Sequence, residues 1–143
     1  MVKESISNVI MISIHPHYAE AIFSGEKKIE FRKLNIPKTA NHVILYATAP
    51  EQKIVGYFSI KEIIEDKPKA LWRKYKHWSG TTEDFYYKYF AKQKSALGIL
   101  IDKIYFLKNP IIFDKAGLGK KPPQSFLYVN SRFWKNIRRR KKK

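Results

Sequence analysis

The chain has no cysteine, so it can build neither a disulfide nor a thiolate metal site, and a zinc knuckle or finger is excluded. Acidic residues are scarce, with 12 Asp and Glu against 29 Lys and Arg, a formal net charge of +17. An imbalance of that size in 143 residues implies a polyanionic partner. Apolar runs of bilayer length are also missing. The N-terminal stretch MVKESISNVIMISIH opens with one Lys and carries a short apolar segment broken by Ser, unlike a secretory signal or a membrane span. We therefore expect a cytoplasmic protein with no membrane association.

Hydrophobic residues make up 44% of the chain and aromatics 15%, a globular composition. The length suits one domain with a sizeable core and leaves no room for a second. Eight of the cations fall in Arg132–Lys143 with no acid among them, so that +17 less these eight leaves +9 on residues 1–131. We divide the chain accordingly into a basic domain, 1–131, and a basic C-terminal tail, 132–143. Six consecutive cations, Arg138 to Lys143, read as a solvated, mobile run. Arg132-Phe133-Trp134 and Ile137 suggest a short amphipathic helix just before it.

Periodicity gives an α+β order. Val9–Ile14 reads as a strand, and Pro16 suits the first turn of a helix over 16–24 that ends at Gly25. Residues 27–33 alternate, placing Ile29 and Phe31 on one face and Glu30 and Arg32 on the other. Residues 43–48 and 54–61 read as a hairpin, with Gly56 marking a bulge or a close approach. Two short helices follow, one starting near Pro68 and one capped in Thr81-Thr82-Glu83-Asp84. Of Trp72, Tyr75, Trp78, Phe85, Tyr86 and Tyr89, roughly four should be core. Two strands over 95–102 and 103–107, a loop over 115–124 and a short strand over 126–129 complete the pattern.

Gly25, Lys27, Glu30 and Arg32 fill all four fixed positions of the G-x-K-x-x-E-x-R motif, and in this the chain resembles the ASCH domain family of PUA-like β-barrels. The resemblance runs in order over residues 9–130: Ser13-Ile14-His15-Pro16 resembles the family's strand-to-helix entry, Tyr46 to Gly56 its central hairpin, and Pro122 to Phe126 its C-terminal loop. It implies a small PUA-like β-barrel with an N-terminal helix and a two-helix insert, and a cleft that holds RNA or a modified base. Lys27, Glu30 and Arg32 would line that cleft, with His15 and Tyr46 beside them. Arg and Lys can donate to phosphates and base carbonyls, while a carboxylate accepts from an exocyclic amine. As a bare pattern, Glu30 and Arg32 would read as a surface ion pair worth under ~1 kcal/mol. The motif is what singles them out.

Other ASCH-like proteins are amidohydrolases acting on N4-acetylcytidine. Lys27 matches their catalytic lysine, but Glu30 stands where they carry Thr, and a neighbouring carboxylate should push a lysine pKa up, against its use as base or nucleophile. Their catalytic acid has no counterpart in Lys76 to Gly80, and Glu83 is the nearest carboxylate. Ribonuclease activity, which the resemblance also allows, would need a base and an acid such as His15 or His17. As a metal pair, His15 and His17 lack third and fourth ligands. Gly117 to Lys121 fails the phosphate-loop spacing and reads as a flexible basic loop.

These readings converge on a non-catalytic nucleic-acid reader without cofactor or metal, monomeric, with RNA as partner and DNA as the alternative. Lys27, Glu30 and Arg32 would read a base and Trp78 would stack one, while Lys120, Lys121, Arg138, Arg139 and Arg140 would hold phosphates. An amidohydrolase or ribonuclease using Lys27 and Glu30 is the second reading. A protein-interaction module built on the aromatic insert and Phe133-Trp134 is the third.

Overall fold

The computed structural model describes residues 8–33, 35–113 and 121–142. The chain forms β1 (Val9–Ile14), α1 (Pro16–Ser24), β2 (Ile29–Arg32), β3 (His42–Ala47), β4 (Lys53–Asp66), α2 (Pro68–Tyr75), a 3-10 turn (Lys76–Trp78), α3 (Glu83–Tyr89), β5 (Ala96–Ile112), β6 (Leu127–Tyr128) and α4 (Ser131–Arg139). The strands make one six-stranded sheet in the order β2-β5-β4-β3-β1-β6, curled into a half-barrel. β1 and β3 run parallel, and the other neighbours are antiparallel.

Period-two alternation sends side chains to opposite faces of this sheet. Ile10, Ile12 and Ile14 of β1 pack with Val43, Leu45 and Phe58 and meet Ala19 and Ile22 of α1. Val9 and Met11 face the other way, with Ile44, Tyr57 and Leu107, and are covered by Phe133 and Ile137 of α4. Helices α1 and α4 thus cover opposite faces. The insert α2–α3 packs Leu71, Trp72, Tyr75 and Tyr86 on Ile29, Phe31 and Leu100. Three of the six insert aromatics, Trp72, Tyr75 and Tyr86, are buried, while Phe85 and Trp78 are exposed and Tyr89 is half-buried.

The strands 95–102 and 103–107 are one strand of 17 residues. Its partner β4 supplies a ladder along its length, and the polar pair Asp102-Lys103 falls at a register shift between Phe58↔Ile104 and Ile60↔Ile101. There the Lys103 N–H donates to Ser59 Oγ (3.0 Å). The pair marks a bulge in a continuous strand and no break. Thr82 caps α3, its Oγ1 accepting from the Phe85 N–H (3.2 Å). In α4 the Asn130 side chain accepts from the Phe133 N–H (2.8 Å), and Phe133 and Ile137, four apart, make its buried stripe. Where a solvated run was expected, residues 138–142 keep exposed side chains on a paired backbone: the Lys108 N–H donates to the Arg140 carbonyl (2.8 Å) and the Lys142 N–H to that of Phe106 (2.7 Å). Among the described residues no helix is long and apolar enough to cross a membrane.

Candidate nucleotide pocket

The pocket grows from the turn after α1. Gly25 takes a left-handed conformation (φ +86°), which lets its N–H return to the Ile22 carbonyl and points the chain back toward the sheet. The next residues are stitched down on both sides, the Lys27 N–H donating to the Ala21 carbonyl (2.9 Å) and the Lys28 N–H to that of Trp78 (2.8 Å). β2 then pairs with β5, so Ile29 and Phe31 enter the insert core while Glu30 and Arg32 face the pocket.

Lys27 is 3% exposed and Glu30 7%. The Lys27 ammonium donates to the Ser79 carbonyl (2.5 Å) and lies 3.6 Å from Glu30 Oε1, with the Tyr18 ring centroid at 5.1 Å. The other carboxylate oxygen, Oε2, accepts from Arg32 Nε (3.1 Å), and Arg32 Nη2 donates to the Ser13 carbonyl (2.6 Å). The result is a chain of charged groups, Lys27–Glu30–Arg32, held at both ends by backbone carbonyls. Gly80 closes it from behind at φ +62°, where a Cβ would come within 2.8 Å of the Lys27 Cβ.

Two cations share one carboxylate, so the floor of the pocket is cationic when Lys27 is protonated. Burial pushes the Lys27 pKa below its ordinary 10.5, and Arg32 lowers it further, while Glu30 works the other way. Of these effects only that of Glu30 is legible in the sequence. Desolvation is larger because the stem and head are enclosed by Tyr18, Phe31 and the Ser79–Gly80 backbone, so the net direction is down.

The cavity above this floor has a volume of about 230 Å³. Ser13, His15, Tyr18 and Thr48 line one side, and Thr81, Phe85, Tyr86 and Tyr89 of the insert line the other. Tyr18 joins the sides through a 2.7 Å hydrogen bond between its hydroxyl and that of Thr81. Ring walls around a charged floor suit a flat polar group such as a single nucleobase, and the volume is below the ~300–1,000 Å³ of most ligand sites. Among the described residues no group of three or more His, Asp or Glu side chains could hold a metal ion.

Of the expected site residues, His15, Lys27, Glu30 and Arg32 come together here. Tyr46 does not. It is 5% exposed, packs on Phe113 and belongs to the opposite face of the sheet, with Met11 and Ile44, while its neighbour Leu45 takes the other side. Trp78 is 42% exposed but lies outside the pocket lining, with the Lys28 ammonium 5.8 Å from its ring centroid. Lys121 is exposed, Lys120 and most of the loop 115–124 lie outside the described residues, and Arg138, Arg139 and Arg140 sit at the end of α4 and just beyond it. Sequence reasoning missed Tyr18, Thr81 and Phe85 as pocket walls. The sequence marks Thr81 only as part of a cap, Phe85 only as one of the insert aromatics, and Tyr18 only as a residue of the helix over 16–24.

A family model of the ASCH domain matches residues 12–105, and the chain belongs to this family. In particular, it superposes on a crystal structure of a mutant of the ASCH protein from Zymomonas mobilis with a TM-score of 0.87 at 24% identity, covering 96% of this chain and 99% of that one, a likeness of fold. The curated "ASCH domain-containing ribonuclease" of Zymomonas mobilis is 28% identical over 123 residues, 83% of this chain and 82% of that protein. A protein of Ureaplasma parvum named ATP synthase subunit alpha is 31% identical over 129 residues, 90% of this chain. The chain spans only 16% of that relative's length.

Proposed function

We propose that the chain is an RNA-binding ASCH domain that takes one unpaired nucleotide of a single strand into the Lys27–Glu30–Arg32 pocket. The observation that carries this reading is a buried, hydrogen-bonded set of charged groups flooring a cavity walled by aromatic rings. Arg32 would donate to a phosphate or base carbonyl, Glu30 would accept from an exocyclic amine, and Phe85 would stack. The surplus positive charge favours a polyanion and contributes affinity without sequence information.

The test is titration of labelled single-stranded RNA, together with a nucleoside panel including acetylated cytidine, at low and physiological salt. Phe85→Ala removes an exposed wall ring and should weaken single-strand binding by ~1–3 kcal/mol, the range for loss of one stacked base. Unchanged affinity in both Phe85→Ala and Arg32→Gln would defeat the pocket as the nucleotide site.

A second reading, RNA cleavage, is favoured by the burial that lowers the Lys27 pKa and by the likeness to a protein named as a ribonuclease. A neutral Lys27 could take the proton of a 2′-hydroxyl as the oxygen attacks the adjacent phosphorus. The P–O5′ bond then breaks, with His15 on the rim protonating the leaving oxygen, to leave a 2′,3′-cyclic phosphate. Cleavage by highly purified protein that disappears in Lys27→Met and on 2′-deoxy substitution at the scissile nucleotide would establish it. No product with wild-type protein leaves the binding reading alone.

A further inference from the structure

Beside the end of α4, the C-terminal part of β5 helps to build a second concentration of charge. Lys108, Asn109, Arg139, Arg140, Lys141 and Lys142 line one concavity of about 610 Å³, five cations with no carboxylate among them. The surface is fixed in place. Leu107 and Lys141 form an antiparallel bridge, flanked by the Lys108-to-Arg140 and Lys142-to-Phe106 backbone hydrogen bonds, so the C-terminal segment is held against β5. Its rim carries half-exposed rings with cations over them: the Arg138 guanidinium is 5.3 Å from the Trp134 ring centroid, and the Lys141 ammonium is 5.5 Å from that of Tyr105.

Cations at the end of a helix offset its dipole, and Arg138 and Arg139 do that for α4. The dipole does not account for Lys108, which comes from a strand, or for Lys141 and Lys142 beyond the helix. None of the three ion pairs among the described residues involves this group. Five like charges on a paired backbone repel one another unless an anion of matching spacing sits among them. A run of phosphates has that chemistry, and the interleaved rings and cations suit a sugar-phosphate surface.

We propose that this α4–β5 surface is a second RNA site that grips the phosphate backbone of base-paired RNA independently of the pocket. It shares with the proposed function only the choice of RNA as partner. Because α1 and α4 cover opposite faces of the sheet, a duplex held here leaves the pocket open for an unpaired nucleotide.

A blunt-ended RNA duplex has no unpaired base to offer the pocket, so it reports on this surface alone. Its binding by the full chain should fall steeply with salt. The variant carrying Lys108→Gln, Arg139→Gln, Arg140→Gln and Lys142→Gln should lose about 3 to 4 units of the log–log salt slope and at least roughly tenfold in affinity at 0.1 M salt. A control with the same charge loss elsewhere, Lys61→Gln, Lys69→Gln, Lys92→Gln and Lys94→Gln, should change affinity by under about threefold, and Arg32→Gln should leave duplex binding intact. On wild-type protein, duplex should shield Lys108 and Lys142 from acetylation, a readout that does not depend on a variant folding. Equal losses in the two quadruple variants, no shielding, or no duplex binding at low salt would each overturn the proposal. Duplex binding that survives while single-strand binding ignores Phe85→Ala and Arg32→Gln would instead sink the pocket reading and leave this surface standing.

Discussion

Glu30→Gln is the sharpest probe of the buried charges. The substitution keeps the side chain's shape and removes the single carboxylate between two cations. At 3.6 Å and an effective dielectric of ~20, the Lys27–Glu30 attraction is about 4–5 kcal/mol, and the Arg32 bond adds to it. Glu30 also sheds its own desolvation cost, so the net loss should be about 3 kcal/mol, at the lower end for breaking a buried pair. Urea unfolding followed by tryptophan fluorescence reads this directly, and thermal unfolding should fall by roughly 10 °C. The double variant Lys27→Met, Glu30→Gln leaves no unpaired buried charge at either position and should recover most of the loss. The deficit should also depend on pH. Folded Lys27 gives up its proton below 10.5 while the unfolded chain still holds it, so between the lowered folded value and 10.5 the unfolded state binds more protons and stability rises with pH. Without Glu30, which raises the Lys27 value, that window opens at lower pH, and the variant should gain on wild type as pH rises toward 10.5. If the losses of the single variants simply add in the double variant, or if the deficit is flat across this range, Lys27 and Glu30 are not coupled as described.

Gly80→Ala should cost about 2 kcal/mol by thermal unfolding, combining the left-handed backbone at φ +62° with overlap at the Lys27 stem, and single-strand RNA binding should weaken with it. Ile137→Ala, at a site with 0% exposure, should cost about 2–4 kcal/mol in urea unfolding, whereas a detached C-terminal segment would cost almost nothing. Burial and then Arg138 hold His42 below its ordinary 6.5, so the stability it supports in the neutral form is lost as pH falls through 6.5 toward the folded value. An NMR titration should place its midpoint below 6.5, and Arg138→Gln should raise it.

Local order was legible in the residues themselves. Val9–Ile14, the Pro16-started helix and its glycine stop are short-range signals of alternation, ring-locked φ and left-handed capping, and the structure has them at the expected bounds. The four-position motif likewise brought Lys27, Glu30 and Arg32 to attention before any fold was known. That 95–102 and 103–107 run on as one strand was not legible at Asp102-Lys103, because only the partner strand shows that the polar pair forms a bulge. The face that Tyr46 takes was not legible either, because resemblance places a residue along a strand without saying which face is covered.

Sequence alone therefore determined the excess of positive charge, the absence of thiol chemistry, the succession of elements and the family, all carried by composition or by contacts within a few residues. Tertiary structure decided the rest. Lys27 and Ser79 are 52 residues apart and meet through one hydrogen bond, Arg32 reaches back 19 residues to Ser13, and the C-terminal cations meet Lys108 of β5. Whether Lys27 is an ordinary surface cation or a buried amine with a lowered pKa depends on the water that these distant segments exclude, and desolvation is a property of the packed whole that no local spacing encodes.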